Sequence, residues 1–78
     1  MSDKIKKVLE LDLALAVHDR VNMYAQRKEL PFIGIETIHQ NIVDANMTLD
    51  QLAEELEVVD GLTYEVEDAY EELTNVNA

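Results

Sequence analysis

The chain has 78 residues, 47% of them hydrophobic and 29% charged, with a formal net charge of −11 at pH 7. That length makes one domain, near the lower limit at which a single core holds unaided. The absence of cysteine excludes a disulfide framework and thiolate metal sites, and the periodic apolar content excludes disorder despite the charge.

In chain order, Ser2 is placed to cap a first helix running from about residue 3 to residue 29. Ile5, Leu9, Leu13, Ala16, Val17, Val21 and Tyr24 recur on one helical face. Leu9, Leu11, Leu13, Leu15 and Val17 also alternate as a strand would. They are mostly leucine rather than β-branched, and the helical pattern continues to Tyr24, so the segment is helical. Leu11 and Leu15 then form a second apolar stripe. Pro31 ends the helix, because the residue before a proline is pushed out of the helical region.

Leu30-Pro31-Phe32-Ile33-Gly34 reads as a tight apolar connection. A second helix over 35–46 turns Ile35, Ile38, Ile42 and Ala45 inward. A third, over 49–58, opens on a capping box at Thr48-Leu49-Asp50-Gln51 and turns Leu49, Leu52, Ala53 and Leu56 inward. Asp60-Gly61 makes a turn, and Thr63 caps a fourth helix over 63–74 with Val66, Ala69, Tyr70 and Leu73 inward. The expected fold is therefore all-α, a small bundle of about four helices in one domain, 1–78, with Leu52, Leu56, Val66 and Leu73 buried. A first helix of about 39 Å is long for a chain with an expected radius of gyration near 11–12 Å. Its end must overhang, bend or pack on a second molecule. A homodimer through Leu11 and Leu15 follows from the last option.

The longest apolar run, Leu13 to Val17, falls far short of the roughly 20 residues of a membrane span. Lys4, Lys6 and Lys7 lie near the start, but Glu10 and Asp12 interrupt any signal-peptide apolar region. We read the chain as cytoplasmic, or as acting in the host cytoplasm if its source is viral.

Several motifs are incomplete. No Gly-rich phosphate loop, Gly-x-Ser-x-Gly elbow or cysteine nucleophile occurs, so the chain is read as non-enzymatic, without cofactor or metal. Glu36-x-x-His39 is half of a carboxylate di-metal motif and has no second copy, and His18 is followed by Asp19. Asp44, Asn46, Thr48, Asp50 and Glu55 match five positions of a calcium loop. Leu49 stands where its glycine is required, and the capping box wants that residue helical. Residues 48–58, with Thr48, Leu52, Ala53, Leu56 and Val58, resemble the first half of a helix-turn-helix DNA-binding motif. The family's turn glycine would fall on Glu57, and the helix in the recognition position carries acids and no base, which phosphate repels. An antiparallel helix pair accounts for the likeness, and no direct nucleic-acid binding is expected.

Charge asymmetry is the remaining signal. Residues 1–30 hold all six basic residues against five acids, a balance of +1. Residues 31–78 hold twelve acids and no Lys or Arg, a balance of −12. Glu54, Glu57, Glu65, Asp68, Glu71 and Glu72 form the candidate partner-binding face. Like charges at helical spacing cost about 0.2–0.5 kcal/mol per pair, so a face kept negative serves either solubility or a basic protein partner. The composition is similar to that of small phage-encoded inhibitors of host machinery and of acidic antitoxins. The expected function is a non-catalytic protein-binding antagonist. The alternatives are a DNA mimic that fills a basic groove and a structural dimerisation or adaptor module. Tyr24 and Phe32 are alternative anchors should the acidic face be inert.

Overall fold

A computed structural model describes residues 2–61 and 64–74, which form α1 (Ser2–Lys28), α2 (Ile35–Ala45), α3 (Leu49–Asp60) and α4 (Val66–Thr74). This is the expected small helical bundle, with helix ends shifted by a turn or less. The expected capping side chains of Ser2 and Thr63 lie outside the described residues.

Each helix end has a local cause. Glu29 adopts a left-handed conformation (φ 57°). The amide of Leu30 donates to the Ala25 carbonyl at 2.8 Å and that of Glu29 to Gln26 at 3.3 Å, a Schellman closure that satisfies the last carbonyls of α1. α2 ends on Asn46, also left-handed (φ 49°), a conformation Asn tolerates better than most residues. Lys6 Nζ donates to Asn46 Oδ1 at 2.7 Å and brings a cation to the negative end of that helix. The capping box of α3 is present as expected. Thr48 Oγ1 accepts from the Gln51 amide at 3.2 Å, and Gln51 Oε1 accepts from the Thr48 amide at 2.9 Å.

The 30–34 connection is pinned from both sides. The Asn22 side chain exchanges two hydrogen bonds with the backbone of Ile33, at 2.9 and 2.8 Å, as a neighbouring strand would. Tyr70 Oη donates to the Pro31 carbonyl at 2.7 Å, and the Tyr70 ring meets that of Tyr24 at 5.7 Å. α4 is thereby fastened to the far end of α1.

At 1.5 Å per residue the 27 residues of α1 span about 40 Å, the 42 Å long dimension of the molecule. α1 is the strut on which α2, α3 and α4 all pack, and among the described residues α3 comes close to α1 alone. The expected antiparallel pairing of α3 with α4 is therefore absent. With it goes the packing on which the helix-turn-helix likeness depended. No helix among the described residues is long and apolar enough to cross a membrane.

The core comprises Leu13, Ala14, Val21 and Ala25 of α1, Ile33 of the connection, Ile38 and Ile42 of α2, Leu52 and Val59 of α3, and Tyr70 of α4. It differs from the expected set in an ordered way. The buried face of α1 is rotated toward Ala14 and Ala25, which are both 0% exposed, because small side chains let neighbouring helices approach closely. Ile5, expected in the core, is consequently 55% exposed, while Glu10 is buried at 6%. No buried side-chain nitrogen or oxygen among the described residues lacks a partner. Leu56, Val66 and Leu73 are half-buried at the core margin rather than buried, and Ala45 and Ala53 are exposed. Three helices splayed over one strut leave margins that a closed bundle would cover.

Candidate functional site

The splay of α2, α3 and α4 opens a groove of about 530 Å³. Its floor is apolar: Leu13 and Val17 of α1, Ile38 and Ile42 of α2, Val59 of α3, Leu73 of α4. Its rim is acidic: Glu55 of α3 faces Glu65, Asp68 and Glu72, which come from α4 and the turn before it. On α2 the lining residues are 38, 41, 42 and 45, and along α4 with the residue before it 65, 68, 69 and 72, with Leu73 beside them. Both sets follow the i, i+3, i+4, i+7 spacing of a single helix edge. The two walls therefore run for about two helical turns.

Tyr64 stands at one end of this groove and also lines a second hollow of about 450 Å³ with Arg20, Arg27 and Tyr24. Burial first, then the carboxylates of Glu55 and Glu72, raises the Tyr64 phenol above its ordinary 10.0, with Arg20 opposing. Two rim carboxylates on different helices thus act on one hydroxyl. The phenol of Tyr24 is also raised, by desolvation first and then by Glu67 and Glu71. Both groups favour their neutral form in the fold. Their contribution to stability is whole below about pH 10 and is lost as pH rises through the raised folded values. The denaturation midpoint is expected to fall as pH rises past about 10, and less steeply in Tyr64→Phe. Parallel titration curves for the two proteins would show that Tyr64 is not coupled to the rim.

Of the six acids expected to act together, Glu65, Asp68 and Glu72 line this groove. Glu71 lies on the other edge of α4, close enough with Glu67 to act on Tyr24. Glu54 and Glu57 are exposed on α3 and do not line the groove. Glu55, which the sequence matched to a calcium-loop position and not to the candidate partner-binding face, completes the rim. The i+3 and i+7 positions of Asp68 and Glu72 from Glu65 were visible in the sequence, but the approach of α3 was not. Leu11 and Leu15 are 47% and 52% exposed, and Ile5 and Val8, at 55% and 53%, extend them into one stripe. By helical geometry this stripe lies roughly half a turn from the buried face of α1, on the side away from the other three helices.

His18 and His39 are half-buried, and His18 borders a shallow hollow beside Phe32, which is 67% exposed. Among the described residues no three His, Asp or Glu side chains gather where a metal ion could be held. No family model matches the chain, and no curated protein or solved structure proves similar to it.

Proposed function

We propose that the protein is a non-catalytic regulator that binds and antagonises a protein partner through its acidic half, acting in the cytoplasm, or in the host cytoplasm for a viral source. One observation carries this. Glu54, Glu57, Glu65, Asp68, Glu71 and Glu72 are all exposed, on a stretch of chain that holds no Lys or Arg to neutralise them. Local Glu–Lys pairs would have stabilised these helices, so the unrelieved charge fits a surface that a basic partner completes. The test is capture by the immobilised protein from an extract of its native cell, at low and high salt, with identification by mass spectrometry. A basic protein held at low salt and released at high salt is expected. Retention of the same proteins undiminished at high salt, or of none, would count against the proposal.

In the DNA-mimic form of this proposal the acidic half fills a nucleic-acid groove, and duplex DNA then displaces the protein from its captured partner. The apolar floor within the acidic surface favours a protein segment instead, since a phosphate backbone offers no apolar edge to imitate.

A second reading, self-association, is favoured by the exposed stripe Ile5, Val8, Leu11 and Leu15. It lies on α1, which alone among the four helices carries Lys and Arg, and on the side away from the acidic half. Two copies docked there keep their negative surfaces apart. Leu11→Glu with Leu15→Glu is expected to give a folded monomer with an unchanged circular-dichroism spectrum. A wild type that sediments as a monomer at high micromolar concentration would remove this reading.

A further inference from the structure

We propose that the groove between α2, α3 and α4 is a docking site for a basic amphipathic helix of the partner protein, seated with its apolar side chains on the floor and its Lys or Arg residues against the rim. This rests on the acidic half being the partner-binding surface, and it names where on that half the partner sits and by what chemistry.

Three features select this occupant. The floor needs an apolar visitor: Val58 at the groove edge is 46% exposed, and the half-buried Met47, Ala69 and Leu73 line the same hollow. Apolar surface of this kind is covered at a gain of about 25 cal/mol per Å². The rim needs a basic one. Glu55, Glu65, Asp68 and Glu72 stand on both sides of that floor, and an acidic or neutral helix would leave their mutual repulsion in place. The walls set the length. Each runs i to i+7, roughly 10 Å, which matches a helix presenting two or three apolar residues at i, i+3 or i+4, and i+7. A second copy of this chain is a poor occupant. All six basic residues it could offer lie on α1, the helix on which its own acidic half is packed, so that half would be brought along.

The test uses the full-length chain and two synthetic probes: an amphipathic leucine–lysine helix of about five turns, and a lysine–alanine helix of equal charge that lacks the leucine face. The leucine peptide is expected to bind at least about tenfold more tightly. It should keep part of its affinity at high salt and shift the methyl signals of Ile42, Val58, Val59 and Leu73. Val58→Asp changes an already exposed side chain, so the fold is expected to stand by circular dichroism, while leucine-peptide affinity falls at least about tenfold. Neutralising the rim (Glu55→Gln, Glu65→Gln, Asp68→Asn, Glu72→Gln) should weaken both peptides yet leave the preference for leucine. Equal affinity for the two peptides, with Val58→Asp silent, overturns the groove and leaves the acidic surface as a purely electrostatic binder. Methyl shifts confined to Ile5, Val8, Leu11 and Leu15 overturn it in favour of the α1 stripe. Failure of both peptides to bind at low salt removes the groove and the acidic-surface proposal together.

Discussion

Leu52→Ala is expected to cost about 2–5 kcal/mol of folding free energy, the range for truncating a fully buried leucine. Leu52 is 0% exposed and belongs to the buried core cluster, so its truncation leaves a cavity that the surrounding side chains fill only in part. Domains of this size hold roughly 0.05–0.15 kcal/mol per residue, and about 1 kcal/mol moves the melting temperature by about 4–8 °C. A drop of roughly 10 °C or more is therefore expected in a thermal melt. Leu56→Ala should cost clearly less, because Leu56 is half-buried at the core margin and its site remains open to water. Equal losses for the two variants would mean that α3 sits deeper than described.

Changing Glu65, Glu71 and Glu72 to Gln and Asp68 to Asn is expected to abolish partner binding while leaving stability equal or slightly higher. The two halves of that expectation have different causes. Asp68 lies in the first turn of α4, where a negative charge suits the helix dipole. Glu71 and Glu72 lie toward its C-terminal end, where it does not. These effects roughly cancel, and removal of like-charge repulsion adds a few tenths of a kcal/mol. Binding changes because carboxamides keep the size and much of the hydrogen-bonding capacity of the acids and lose only the charge. Three of the four residues line the groove and Glu71 does not. Glu71→Gln alone should therefore weaken binding least.

What the sequence made legible was local. Pro31 in a connection, the Thr48–Gln51 capping box and the 3.6-residue periodicity of α2 to α4 each depend on neighbours within one or two turns, and the structure has all three. The face of α1 was less legible because that helix is apolar on two sides. Nothing local distinguishes Ile5, which is exposed, from Leu13, which is buried. Ala14 and Ala25 carry little hydrophobic signal, yet they are fully buried, since their value is the close approach they permit. The double hydrogen bond from Asn22 to Ile33 and the tie from Tyr70 to Pro31 join residues brought together only by the tertiary fold. The candidate site was legible as a list of acids and illegible as a shape. Helical spacing put Glu65, Asp68 and Glu72 on one edge, whereas the apolar floor and the arrival of Glu55 depend on how α2, α3 and α4 diverge over α1.

The most direct test of a charge-read partner surface is the affinity of the captured, purified partner across a range of salt, for the wild type and for the variant neutralised at Glu65, Asp68, Glu71 and Glu72. Exposed charges are screened beyond about 8–10 Å at moderate ionic strength. Wild-type affinity should therefore fall steeply as salt rises, and the variant, already weak at low salt, should show little further dependence. A variant that matches the wild type in affinity at low salt, and in the steepness of its salt dependence, would contradict the account.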